Sequence, residues 1–156
     1  MNIVSLLSER RVLPDLGAGT RDEVLEEMIE HLVATGGLSE PSQDAVVEAL
    51  IAREERISTG IGYGVAIPHC YSDSLNDPVA VFGRSRSGVD FNACDSAVVH
   101  FVILLVVPEN KPNSHLQTLA VIARLFSQHA VREKLTEGST PGALLTALEQ
   151  CQLELD

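Results

Sequence analysis

At 156 residues and 16.8 kDa the chain is long enough for one domain with a sizeable core. Its formal net charge of −11, from 11 basic and 22 acidic residues, argues against DNA, RNA or an anionic membrane as the main partner, because each needs a basic surface. Hydrophobic residues at 45% and charged residues at 21% exclude a disordered chain; with 4% aromatics and no Trp the core is aliphatic and no platform for stacking nucleotides is expected. The longest apolar run, Phe101 to Val107, closes at Pro108, well short of the roughly 20 residues that span a bilayer. Met1 to Ser5 holds no basic stretch followed by a long apolar one, so no signal peptide is read and a cytoplasmic protein is expected. Cys70, Cys94 and Cys151 are odd in number and widely spaced, which suits neither a disulfide framework nor a Cys-x-x-Cys zinc clip.

In chain order, the first helix is predicted from Thr20 to Ala34. Thr20 caps it with Glu23 three residues on; Val24, Leu25, Met28, Ile29 and Leu32 fall on one face; Gly36-Gly37 ends it. A second helix opens at Ser39 or Pro41, carries Val46, Val47, Leu50 and Ile51 as its apolar stripe, and ends in Arg53-Glu54-Glu55-Arg56. Ile57 to Pro68 is Gly-rich and has no long helical pattern. Val79 to Ser85 reads as a strand, Gly88 to Phe91 as a turn and a short extended piece, and Val98 to Val107 as a buried central strand. Helices follow over Pro112 to Ser127, Val131 to Leu135 and Pro141 to Glu149. Strands alternating with helices predict an α/β layer fold in a single domain, residues 1–150, with 151–156 as a loose tail.

The chemistry concentrates in Ser58-Thr59-Gly60-Ile61-Gly62-Tyr63-Gly64-Val65-Ala66-Ile67-Pro68-His69. Glycines at 60, 62 and 64 permit backbone geometry that side chains resist and leave N–H groups open to an anion. No Gly-Lys-Ser/Thr follows, so this is not a P-loop, and Val65 stands where a dinucleotide fingerprint needs its third glycine. Pro68 fixes its own φ and removes a donor, which makes a stiff platform for His69. An imidazole serves as nucleophile, base or ligand; the plain alternative is a histidine that ends a strand.

This run, with Arg53 upstream and His115-Leu116-Gln117-Thr118-Leu119 downstream, resembles the EIIA domains of the fructose–mannitol–nitrogen class of the bacterial phosphoenolpyruvate-dependent phosphotransferase system. The Thr-Gly-Ile-Gly and Ala-Ile-Pro-His elements are most similar to the nitrogen-regulatory branch, and the likeness runs from the first helix to about Glu149. It implies a mixed β-sheet flanked by helices and a phosphotransferase role, with His69 phosphorylated by an HPr-type carrier protein. It further implies that His115 supports the phosphoryl group and that Arg53 closes the phosphate site.

The residue types suit that chemistry. Phosphoryl transfer needs positioning and charge stabilisation: a neutral imidazole nitrogen attacks in line, Arg53 can hold two phosphate oxygens, N–H groups of Gly60, Gly62 and Gly64 could donate to the same oxygens, and His115 can add a hydrogen bond or a charge. Thr59 can bond the phosphoryl group or merely shape the turn. Arg53 at a helix end can equally offset the helix dipole, and His115 can be a solvent-exposed residue. The reaction calls for no cofactor, nucleotide or metal. Two departures from the family pattern stand out: Cys70 where glycine is usual, bringing a thiol beside His69, and His100 where an acidic residue is frequent. Rival readings are a zinc site drawn from His69, Cys70, Cys94, His100 or His115, a binding module that no longer carries phosphate, and a sugar-transport EIIA that passes phosphate to an EIIB domain. A free-standing chain leans to the regulatory role, with regulated target proteins as further partners, and no membrane insertion is expected.

Overall fold

A computed structural model describes residues 3–111, 113 and 115–155. The elements run β1 (Val12–Leu13), α1 (Arg21–Ala34), α2 (Gln43–Arg56), β2 (Gly60–Gly62), β3 (Val65–Ala66), β4 (His69–Ser72), β5 (Val79–Val89), β6 (Val99–Pro108), α3 (Leu116–Phe126), α4 (His129–Glu137) and α5 (Pro141–Leu155), with short 3₁₀ turns before β1 and α2.

Local rules account for α1. The Thr20 hydroxyl accepts from the Glu23 N–H at 3.4 Å, Asp22 and Glu23 lie in the first turn where the helix dipole favours acids, and the five apolar residues of one face are fully buried. Gly36, at φ +80°, closes the helix: its N–H reaches the Val33 carbonyl and that of Gly37 reaches Leu32, the paired bonds of a Schellman end.

The sheet is mixed, in the order β1-β5-β6-β3-β2, with β4 also paired to β6. Strand β6 is the axis. The long hairpin partner β5 runs antiparallel on one side, while β3 and then β4 pair with it in parallel on the other, Val65 opposite Phe101 and His69 opposite Leu105. Both faces are covered. Helices α1 and α2 pack Leu25, Met28 and Leu50 toward Val81, Val102, Leu104 and Val106; α3 to α5 pack Ile122, Phe126, Leu135 and Leu144 toward Phe82, Phe101, Ile103 and Leu105. A strand buried on both faces reads as an unbroken apolar run, and Phe101 to Val107 is that run.

Several boundaries differ from the sequence reading. Strand β5 continues to Val89, past the expected end at Ser85, because Gly88, at φ +87°, returns the chain to pair Val89 with Val99. Helix α3 begins at Leu116; Pro112, where the sequence put its start, lies outside the described residues. Helix α4 is longer than expected at both ends. The loose tail from Cys151 is corrected: α5 extends to Leu155, Cys151 and Gln152 are buried, and Gln152 Oε1 accepts from the Ile3 N–H at 3.0 Å. That bond and the apolar contact of Cys151 keep the last turn docked.

Candidate functional site

His69 opens β4 directly after Pro68. The proline has no N–H, so it sits at the break between β3 and β4, and its carbonyl still accepts from Leu105 N–H at 2.9 Å. The histidine is therefore held by β6 on a strand at the margin of the sheet. Its Nδ1 lies 2.8 Å from the Ile67 carbonyl. A carbonyl only accepts, so Nδ1 carries the proton and Nε2 keeps its lone pair. Burial pushes the imidazolium pKa below its ordinary value of 6.5, Arg53 and His115 nearby push the same way, and the Ile67 bond opposes them. At neutral pH the ring is a neutral nucleophile.

His115, at the N-cap position of α3, is only 7% exposed, so the solvent-exposed alternative is set aside. Its ring centroid stands 5.7 Å from that of His69. Tyr71 meets it edge-on at 5.3 Å, with Tyr71 Oη 3.3 Å from His115 Nε2. The other nitrogen, Nδ1, is buried and has no hydrogen-bond partner among the described residues. A buried polar atom left open costs stability, so it reads as a group reserved for something that binds there.

On the opposite side of β4, the last turn of α2 brings Arg53 and Arg56 to a cleft of about 380 Å³ shared with His69 and Tyr71 and walled by Ala49 and Ala52. Arg53 Nη1 donates to the Ile57 carbonyl at 2.6 Å, which satisfies a carbonyl just past the helix end. The helix-end role is realised, and the same guanidinium faces the histidine's cleft.

The glycine segment is arranged otherwise. Gly62 and Gly64, at φ +95° and +74°, enclose Tyr63 at φ +61° in the β2–β3 hairpin turn. The register puts Val65 opposite Phe101 and His69 opposite Leu105, four residues or about 13 Å along the strand. This register sets Gly64 toward the far end of the strand, while Gly60 lies opposite Ala66: Gly60 N–H donates to Ser58 Oγ at 3.0 Å, a Cβ on Gly60 would collide with Ala93, and the Asp95 carboxylate, which takes the Tyr63 N–H at 3.2 Å, stands against Gly62. Thr59 is buried, and both its N–H, at 3.0 Å, and its hydroxyl donate to the buried Glu54 carboxylate. It shapes the turn out of α2.

Cys70 lines the same cleft as His69 and Arg53, with its thiol turned toward the core. Successive strand residues face opposite sides, and the thiol is buried against α2, where burial pushes its pKa up to about 12. Of the five residues of the zinc reading, His100 is level with Gly64 and Cys94 lies near Gly62, apart from the His69–His115 pair, and the described residues contain no group of three His, Cys, Asp or Glu fit to hold a metal. Sequence reasoning missed Arg56 and Tyr71 as site residues. Both had a signal: Arg56 is three residues from Arg53 on a helix, and Tyr71 two from His69 on a strand.

One mixed sheet covered by helices on both faces, with two histidine rings together at its margin, is the frame of the site. The chain belongs to the family of the phosphoenolpyruvate-dependent sugar phosphotransferase system, EIIA 2, whose model matches residues 5–151. It is 35% identical over 144 residues to a nitrogen regulatory protein of Pseudomonas aeruginosa, covering 92% of each. It is 32% identical over 150 residues to the fructose-specific EIIABC component of Bacillus subtilis, 96% of this chain but only 23% of that protein. The crystal structure of the nitrogen regulatory protein IIA-Ntr from Neisseria meningitidis superposes with a TM-score of 0.84 at 34% identity, over 94% of this chain and 98% of that one. No helix among the described residues is long and apolar enough to cross a membrane.

Proposed function

We propose that the protein is a phosphohistidine carrier, in which His69 Nε2 accepts a phosphoryl group from the phosphohistidine of an HPr-type carrier protein, and that its role is regulatory. The observation that carries this reading is the bond from Nδ1–H to the Ile67 carbonyl, which leaves Nε2 unprotonated with His115 alongside. In the transfer, the N–P bond on the carrier breaks as the His69 Nε2–P bond forms, and no proton has to leave His69. The phosphoryl oxygens take the open Nδ1 of His115 as a donor, with Tyr71 on its other nitrogen, and the field of Arg53 and Arg56. One histidine–phosphate bond replaces another, so the step is reversible.

Similarity across nearly the whole length of a nitrogen regulatory protein supports the regulatory role. A second reading, supported by similarity to the fructose-specific component, is a sugar-transport EIIA that hands phosphate to an EIIB domain.

The test is incubation with phosphoenolpyruvate, the general energy-coupling enzyme and the carrier, followed by intact mass. One acid-labile phosphate is expected on the wild type and none on His69→Ala; equal modification of both refutes the assignment. His115→Ala is expected to accept phosphate but pass it on poorly. Efficient passage from the wild type to a fructose-type EIIB would favour the transport reading.

A further inference from the structure

At the opposite end of β6 the chain departs from regular strand geometry. The N–H groups of His100 and Phe101 both donate to the Gly64 carbonyl, at 2.8 and 2.9 Å, so one residue is inserted as a bulge. Regular alternation would put Val99 and Phe101 on one face, yet Val99 packs under α1 and α2 while Phe101 packs under α3 to α5. Strand β5 bows outward at the same level: Arg84 pairs with Phe101 and Val89 with Val99, so five steps of one strand match two of the other. The imidazole of His100 lies in the gap, its Cδ2 and Cε1 at positions where side chains on Gly64 and Gly88 would meet it.

A cleft of about 230 Å³ opens there, lined by Arg84, Ser85, Arg86, His100, Phe101 and Thr136. Arg84 is 2% exposed. Its Nε donates to the Pro14 carbonyl at 2.9 Å and its Nη1 to the carbonyls of Leu135 and Gly138, which caps the end of α4. That structural role leaves Nη2 unused: it is buried without a hydrogen-bond partner among the described residues. Asp15 pairs with Arg86, Nε to Oδ1 at 2.9 Å. His100 Nδ1–H donates to the Ser85 carbonyl at 2.8 Å, so in the neutral ring Nε2 accepts.

We propose that this cleft is a second ligand site, separate from His69, that binds inorganic phosphate. A guanidinium with an unused N–H pair requires oxygen acceptors, and in the tautomer that the Ser85 bond fixes His100 offers Nε2 as an acceptor. Hydrogen phosphate supplies both from one tetrahedral group, its oxygens to Arg84 and its P–OH to His100. A carboxylate at neutral pH has no O–H to give. The site lies about 13 Å along β6 from His69 by the strand rise, so the two can be followed separately.

The test is a ¹H–¹⁵N NMR titration of the full chain with sodium phosphate at pH 7 and constant ionic strength. Saturable shifts are expected at the amides of Ser85, Gly88, Phe101 and Thr136, with about tenfold weaker binding in His100→Ala and the same shifts and affinity as wild type in Arg53→Ala. Arg84→Met removes the α4 cap along with the ligand contact, so His100→Ala, with its fold checked by circular dichroism, carries the test. Glycerol 3-phosphate, mostly a dianion without a P–OH at pH 7, should bind more weakly than inorganic phosphate; equal or tighter binding overturns the donor role given to the ligand. Non-saturating shifts, shifts confined to the neighbourhood of His69, or binding unchanged in His100→Ala overturn the site. Succinate binding there as tightly as phosphate overturns the ligand assignment.

Discussion

Thr59 separates a structural from a chemical role at the approach to the site. Its hydroxyl and N–H both donate to the Glu54 carboxylate, and both residues are buried. Thr59→Val keeps the shape and the N–H bond but removes the hydroxyl donor from a buried carboxylate. A hydrogen bond to a charged group contributes about 1.5–3 kcal/mol, so stability should fall by about that amount and Tm by roughly 3–12 °C for a chain of this size. The effect has a pH signature. Burial raises the Glu54 pKa above 4.5, and the Thr59 bonds hold it down. A carboxyl whose folded pKa is raised contributes stability below its unfolded pKa and loses it as pH rises through the folded value. Removing one restraining bond enlarges that loss, so the deficit of Thr59→Val should be larger at pH 7 than at pH 4. Urea denaturation at the two pH values measures it, and the rate of phosphoryl acceptance should stay near that of wild type. Unchanged stability together with a tenfold slower acceptance would refute the reasoning and put the hydroxyl on the phosphoryl group.

His69→Gln should flatten part of the pH dependence of stability. The folded pKa of His69 lies below 6.5, chiefly through burial, so between that value and 6.5 the unfolded chain binds more protons and stability falls as pH falls; denaturant midpoints from pH 7.5 to 5 should drop less steeply in the variant, and parallel curves would show that His69 carries no shift. Tyr71→Phe removes the partner of His115 Nε2 and should slow onward phosphoryl transfer by roughly two- to tenfold, the equivalent of one ordinary hydrogen bond. It should also change the tautomer signature of His115 in ¹⁵N NMR, and an unchanged signature would mean that the contact does not orient the ring.

Helix α1 was legible because each device that makes it is local: the cap at Thr20, the apolar period and the Gly36-Gly37 end. Strand β6 was legible because burial on both faces leaves an unbroken apolar run. The return of β5 through Gly88 was not, since it depends on His100 and Val99 across the hairpin. Which of its two roles Thr59 takes was not legible for a related reason. Glu54 sits in the charged run Arg53-Glu54-Glu55-Arg56, which has the composition of a solvated helix end, yet it is 3% exposed and takes both donors of Thr59. Composition cannot show which acid in such a run turns inward. The histidine pair was legible only through family resemblance, because His115 lies 46 positions beyond His69 and only the fold brings their rings together.

The negative net charge is compatible with two clefts that attract anions. A nucleic acid presents a long row of phosphates and needs an extended basic surface, which a chain of −11 does not provide. A single phosphate group needs only a few donors at short range, and two local periodicities supply the cations. Arg53 and Arg56, three apart on α2, share the cleft of His69; Arg84 and Arg86, two apart on β5, share the cleft of His100. These are the spacings that put side chains on one face of a helix and of a strand. Charge far from a cleft is screened over about 8–10 Å at ordinary ionic strength, so the field an anion meets is set by these pairs and by the acids paired with them. In the His100 cleft Asp15 offsets Arg86, which leaves the buried Arg84 as the charge that decides whether an anion is held. At the His69 cleft neither Arg53 nor Arg56 has a carboxylate salt-bridge partner among the described residues, so electrostatic attraction there should be the stronger of the two and the more sensitive to salt.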